Sequence, residues 1–222
     1  MFKPCIDICV PFIFKGGAID VRLLVGDVTA LINDEALRSD ALQMLSPYRR
    51  AKVEAINHAR GKAQSIGAAL LLDRLLDEIG LHERDMDYTE NEHGKPVFKV
   101  LPFSLSHSGS MAAAAVARMS DEEHPLHLSV SIGVDIQRIT RYRPELVRRV
   151  FSEADRQRLA EATDEASRLR LFTQLWCHAE AYAKATGEGL QWPFPTPPAE
   201  AQFYEFEVGD NYCGSLCLYT NN

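Results

Sequence analysis

Two well-separated stretches constrain this chain more than any others. Gly133-Val134-Asp135-Ile136-Gln137 reads as a buried strand with polar side chains on one face, because residues two apart in a strand point the same way. Trp176-Cys177-His178-Ala179-Glu180-Ala181-Tyr182-Ala183-Lys184 reads as a helix, with Trp176, Glu180 and Lys184 at i, i+4 and i+8 on one side. An acid on a strand and an acid on a helix, with a lysine one turn further on, can hold a hard divalent cation against a phosphate. Taken singly each half is bland: Asp135 fits a strand-end turn, and Glu180–Lys184 fits a surface ion pair.

The 222 residues can bury a substantial core, as one large domain or two smaller ones. Hydrophobic content of 46% and charged content of 25% are those of an ordinary soluble globular protein. No stretch approaches the roughly 18 apolar residues of a membrane span, and Asp7 interrupts the apolar N-terminal run, so no secretion signal is read there. The odd set Cys5, Cys9, Cys177, Cys213 and Cys217 has no CxxC spacing, which suits reduced core thiols in a cytoplasmic protein. A net charge of −7 argues against a general nucleic-acid binder. Locally the balance reverses. Between Arg138 and Arg158 lie seven arginines and three acids, either a solvated helix face or a docking patch for an acidic partner protein.

Along the chain, residues 5–14 and 18–25 read as a hairpin across Gly16-Gly17, and Asn33 as a helix cap. Ser46-Pro47 starts a helix broken at Gly61, and an apolar helix follows from Ala63 to Ile79. Short strands flank the turn Glu92-His93-Gly94-Lys95, then strands run over 103–108, 111–117 and 126–136. The second half repeats the theme: arginine-rich helices, a helix over 167–186 ending at Gly187, and a terminal hairpin of strands 202–208 and 212–219. The pattern is α+β, helices on small antiparallel sheets, with the boundary expected in the 120–125 turn and subdomains at 1–122 and 123–222.

Five motifs occur in order over Ser46 to Leu190. They are Gly94-Lys95-Pro96, Ser104-Leu105-Ser106-His107-Ser108-Gly109, Gly133-Val134-Asp135-Ile136, Phe151-Ser152, and Trp176…Glu180-Ala181…Lys184…Gly187…Gly189-Leu190. In this the chain resembles the 4′-phosphopantetheinyl transferase superfamily, of the Sfp-like (surfactin-synthetase-activating) type. The resemblance implies a pseudo-dimer of two similar α/β subdomains with coenzyme A in the cleft between them. It implies a Mg²⁺-dependent transfer of the phosphopantetheine arm of coenzyme A to a serine of an acyl or peptidyl carrier protein, releasing adenosine 3′,5′-bisphosphate (holo-[acyl-carrier-protein] synthase activity). Implied roles are metal ligation for Asp135 and Glu180, with Glu180 or a metal-bound water beside it as base for the carrier serine. Lys184 would neutralise phosphate. His107 with Ser106, and Arg49, Lys52 and Lys62, would face the 3′-phosphate, and Lys95 the nucleotide or pyrophosphate. Replacing either acid by alanine is expected to abolish transfer and leave the fold intact.

Two departures weaken the match. Gln137 stands where the family usually has an acid; its carbonyl can still ligate Mg²⁺ but brings no charge. Ala179 replaces the usual lysine before the helix glutamate, and His178, about 100° round the helix from it, is a poor substitute. They motivate an alternative, a coenzyme A-binding paralogue with weakened turnover. A metal-dependent phosphohydrolase lacks a clustered two-metal ligand set. Internal pseudo-symmetry favours a monomer.

Overall fold

Alternating apolar residues build the first hairpin, strands β1 (Pro4–Phe14) and β2 (Gly17–Asp27). Val10 and Phe12 face inward while Cys9, Pro11 and Ile13 face out. The computed structural model describes residues 4–14, 17–98, 101–119 and 130–220. After the hairpin come helices α1 (Thr29–Asn33), α2 (Glu35–Gln43), α3 (Pro47–Glu54) and α4 (Ala59–Asp77). A one-turn 3-10 helix, Glu83–Asp85, leads to the short strands β3 (Thr89–Glu90) and β4 (Pro96–Val97), then to β5 (Phe103–Ser108) and β6 (Met111–Met119). The second half holds β7 (Val130–Arg138), α5 (Pro144–Val150), α6 (Glu153–Glu161), α7 (Glu165–Thr186), β8 (Ala201–Val208) and β9 (Tyr212–Thr220). The expected α+β architecture is present.

Two larger antiparallel sheets result, one ordered β1-β2-β6-β5 and the other β7-β9-β8, beside a two-stranded ribbon of β3 and β4. The alanine run of β6 explains how they stack. Ala112, Ala114 and Val116 pack with α4, while Ala113, Ala115 and Ala117 join Ile132, Val134, Ile136 and Leu216 in a core between the sheets. Small side chains buried on both faces let a helix and a second sheet approach one strand closely. Each fully buried leucine in these clusters, such as Leu23, Leu72 or Leu218, contributes about 2 kcal/mol of transfer free energy.

At one edge β5 meets β7 without a backbone ladder. The hydroxyls of Ser104, Ser106 and Ser108, alternating on one face of β5, accept the amide N–H groups of Val134, Ile136 and Arg138 at 3.0, 3.2 and 3.0 Å. These bonds satisfy donors that an edge strand would otherwise leave bare. Behind β7, α7 crosses at Gly133: a methyl there would run into the Ala181 carbonyl oxygen and crowd the Ala185 amide. Only a residue without Cβ allows the two elements that carry the candidate acids to come so close.

Some boundaries differ from the sequence reading. The helix break lies at 55–58, and Gly61 sits inside the first turn of α4, its N–H donated to the His58 ring at 2.9 Å. Glycine is required there because a Cβ would strike the His58 and Ile56 side chains. Asp34, not Asn33, caps α2, accepting from the Leu37 amide, and Asn33 closes the unforeseen α1. The 120–125 boundary turn, residues 126–129 of the expected strand and Gly16 fall outside the described residues. Among the described residues all five cysteines are free, and no helix is long and apolar enough to cross a membrane.

Candidate active site

A cleft of about 510 Å³ opens where β5, β7, α7 and the β3–β4 turn converge. Arg49, Lys95, Ser106 and His107 line it from the first half of the chain, and Asp135, Gln137, Glu180 and Lys184 from the second. Eight of the ten residues singled out from the sequence therefore share one cavity. The other two do not line it. Lys52 turns to Glu90, with Nζ at 2.7 Å from its carboxylate, though it and Arg49 both lie against the Tyr48 ring. Lys62 lies in the first turn of α4.

Asp135 is the best-anchored group, only 1% exposed. Its Oδ1 accepts from Ser106 Oγ at 2.7 Å and from Lys184 Nζ at 2.6 Å, and its Oδ2 from Gln137 Nε2 at 3.1 Å. A buried carboxylate of this kind survives because a cation and neutral donors replace its lost hydration. The expected phosphate-facing role of Lys184 is not what the geometry displays. Its three donors go to Asp135, to Ser106 Oγ at 3.0 Å and to the Val134 carbonyl at 3.1 Å. Lys95 is likewise turned inward, donating to the Ile132 and Lys184 carbonyls, and burial with help from the Lys184 charge pulls its pKa down to about 8. Gln137 offers Asp135 its amide N–H, while its oxygen accepts from Ser108 Oγ at 3.1 Å. In this conformation it bridges β5 to Asp135 and does not present its oxygen as a ligand.

Glu180 differs from Asp135. Half-buried on α7, it is pushed above the usual carboxylate range first by burial and next by the Asp135 charge, with Lys184 and a hydrogen bond to Trp176 pulling the other way. With its carboxyl raised partly by the neighbouring Asp135 charge, Glu180 shares with Asp135 a donor set that a hard divalent cation would relieve. Among the described residues no group of three His, Cys, Asp or Glu side chains is gathered as a metal site. Two carboxylates completed by water and substrate phosphate are nevertheless the usual magnesium arrangement. His107, on the opposite face of β5 from the serine stitches, is exposed into the cleft. The protein around it and Lys184 lower its pKa, so it is neutral at pH 7. His178 stacks on Phe203 at 3.5 Å and is absent from the cleft lining, so it does not replace the lysine missing at Ala179.

Asn91 escaped the sequence reading. Its Oδ1 accepts from the His93 and Lys95 amides at 3.0 and 2.8 Å, and its Nδ2 donates to the Gly187 carbonyl at 3.0 Å. It thereby fastens the Gly94-Lys95-Pro96 turn over the C-terminus of α7, where Gly187 adopts φ 76°. The asparagine in an Asn-Glu-His-Gly turn was the available signal.

This α+β frame brings an acid from a strand and an acid from a helix to face one cleft. Residues 131–220 match the family model described as the 4′-phosphopantetheinyl transferase superfamily. The chain is 26% identical over 157 residues to the 4′-phosphopantetheinyl transferase ffp of Bacillus subtilis, covering 68% of this chain and 64% of that protein. It is 26% identical over 159 residues to psf-1 of Bacillus pumilus, covering 68% and 63%. To pptA of Paxillus involutus it is 27% identical over 190 residues, covering 75% and 70%. The chain thus spans a little under two thirds of the length of the two Bacillus relatives. Its likeness is to the 4′-phosphopantetheinyl transferase superfamily and, within it, to the Sfp-like type.

Proposed function

We propose that this chain transfers the 4′-phosphopantetheine arm of coenzyme A to a serine of an apo acyl or peptidyl carrier protein and releases adenosine 3′,5′-bisphosphate. One observation carries the reading: Asp135 and Glu180, from β7 and α7, open on the same cleft as Arg49 and His107. Coenzyme A is anionic at both its pyrophosphate and its 3′-phosphate, and the cleft offers two acids that would hold a cation and the Arg49 guanidinium, with the His107 ring, for the nucleotide end. The two stacked sheets, with α4 and α7 on their outer faces, favour the pseudo-dimer reading with subdomains 1–122 and 123–222.

Asp135 and Glu180 would hold Mg²⁺. When bound, the ion supplies charge stabilisation to the phosphorus centre and the departing bisphosphate. Glu180, or a water beside it, accepts the proton of the carrier serine as its oxygen attacks the pantetheine-side phosphorus and the pyrophosphate P–O bond breaks, releasing the bisphosphate. Lys184 and Ser106 fix Asp135. Arg49 and His107 receive the 3′-phosphate. Gln137, once its amide is turned, would bring its oxygen beside Asp135.

A second reading, a coenzyme A-binding protein with weak turnover, is favoured by Ala179 and by the inward Lys184 and Lys95. Mass spectrometry of apo carrier proteins incubated with the chain, Mg²⁺ and coenzyme A separates the two. A gain of one phosphopantetheine is expected. Tight coenzyme A binding with no gain on fatty-acid, polyketide or peptide carriers favours the second reading.

We assign carrier docking to the arginine-rich segment that follows β7. Arg156 and Arg158 are paired with Glu153 and Asp155. Arg141, Arg143, Arg148 and Arg149 are exposed. Reversing Arg148 and Arg149 to Glu is expected to raise the KM for an acidic carrier about tenfold, more at low salt, with coenzyme A affinity unchanged; an unaltered carrier KM removes the patch from the interface. We place the chain as a cytoplasmic monomer.

A further inference from the structure

The mechanism leaves one buried charge unused. Glu83 is 1% exposed in the one-turn helix Glu83–Asp85, whose Glu83 amide is tied to Asp73 on α4 at 2.8 Å. Its carboxylate accepts from the Ser46 amide at 2.8 Å and the Ser46 hydroxyl at 2.7 Å, so it serves the cap of α3 from 37 residues away. In an ordinary capping box that work falls to a glutamate at the third helical position. Here that position is Arg49, whose own amide donates to Ser46 Oγ at 3.1 Å.

The same carboxylate holds the arginine. Tyr88 Oη donates to Glu83 Oε1 at 2.5 Å and accepts from Arg49 Nε at 3.2 Å, with the Arg49 Nε to Glu83 distance at 3.8 Å. The guanidinium lies 4.8 Å from the Tyr88 ring centre and 5.8 Å from those of Tyr48 and Phe103. Arg49 is 8% exposed, lines the cleft, and among the described residues its Nη2 has no hydrogen-bond partner. A buried charged donor held on one side and unsatisfied on the other fits a group awaiting an anion.

We infer that Glu83 and Tyr88 are positioning residues, which hold Arg49 in place so that its spare donors meet the phosphate at the nucleotide end of coenzyme A. The inference rests on the function proposed above. Burial keeps Tyr88 a neutral phenol that can both donate and accept, with the Glu83 charge adding to this effect and the Arg49 charge opposing it. Glu83 supplies orientation at an electrostatic cost, since an anion near the subsite by itself repels phosphate.

That opposition gives a test with a sign. Binding of coenzyme A and of dephospho-coenzyme A, which lacks the 3′-phosphate, is measured by titration of the full chain alongside kcat and KM. Tyr88→Phe should raise the Kd for coenzyme A about tenfold, the effect of losing one hydrogen bond to a charged group, leave dephospho-coenzyme A within about twofold, and spare kcat. In an Arg49→Ala background it should add nothing. Glu83→Gln should weaken coenzyme A as well, against the direction that removing a negative charge alone would give. If Arg49→Ala loses discrimination between the two ligands while Tyr88→Phe keeps it, or if Glu83→Gln binds coenzyme A more tightly, the positioning role is overturned. Arg49→Ala retaining full discrimination moves the phosphate contact elsewhere and ends the inference at its root. A wild-type chain that binds neither ligand sinks the functional reading as well.

Discussion

Glu180→Gln is expected to cut carrier modification by about a thousandfold, the range for removing a general base together with a charge at the reacting centre, without lowering the unfolding midpoint. The two parts separate a chemical role from a structural one. Glu180 is half-buried and raised in pKa, first by desolvation and then by the Asp135 charge, so the folded chain tolerates its proton better than its charge. A carboxyl group raised on folding contributes stability below its unfolded pKa, and that contribution is lost as pH rises through the folded pKa. Glutamine is uncharged throughout. In protein freed of divalent ions, the variant should therefore melt with the wild type in acid and at or above it near neutrality. Turnover within tenfold of wild type would take Glu180 out of the site. A melting point that drops at neutral pH would show that the carboxylate supports the fold.

The largest stability effect is expected at Lys184. Lys184→Met strands the Asp135 carboxylate, itself 1% exposed, with Ser106 and Gln137 as its remaining donors. Removing one partner of a buried ion pair costs about 3–5 kcal/mol. Lys184 keeps 28% of its side chain exposed, so a value near the lower end, about 3 kcal/mol, is expected. The double variant Asp135→Asn/Lys184→Met should recover much of that loss, because no unpaired charge remains. Urea unfolding at constant m-value measures both. A single variant within 1 kcal/mol of wild type, or a double variant no better than the single, removes the pair from the stability of this fold. This revises the expectation that Asp135 could be replaced by alanine with the fold intact. Its carboxylate ties together β5, β7 and α7, so asparagine is the substitution that isolates its chemistry.

The two tests bear on what could be read in advance. The helix Glu165–Thr186 and the strand Phe103–Ser108 were legible because their periodicities are strong and their ends are marked, by Gly187 in one and by Gly109-Ser110 in the other. The facing of Asp135 and Gln137 into one cavity follows from strand alternation alone. The lysines' contacts were not legible in the same way. Lys52, Lys95 and Lys184 were all given phosphate-facing roles, yet each is engaged by an acid or by carbonyls in the structure. A long side chain reaches several partners from one Cα, and spacing along a helix or turn does not say which it takes. Serine misled for a related reason. Ser106 was assigned to coenzyme A, but its hydroxyl accepts from Ile136 and Lys184 and donates to Asp135.

The amino-acid order alone determined the alternation of strands and helices and the inward faces of β7 and α7, because backbone periodicity fixes which side of an element each residue occupies. Only the packed chain decided which of the cations are free. That outcome depends on partners brought from afar, such as Glu83 for Arg49, Glu90 for Lys52 and the Ser104–Ser106–Ser108 seam beneath Lys184, and no local pattern encodes a contact between residues dozens of positions apart.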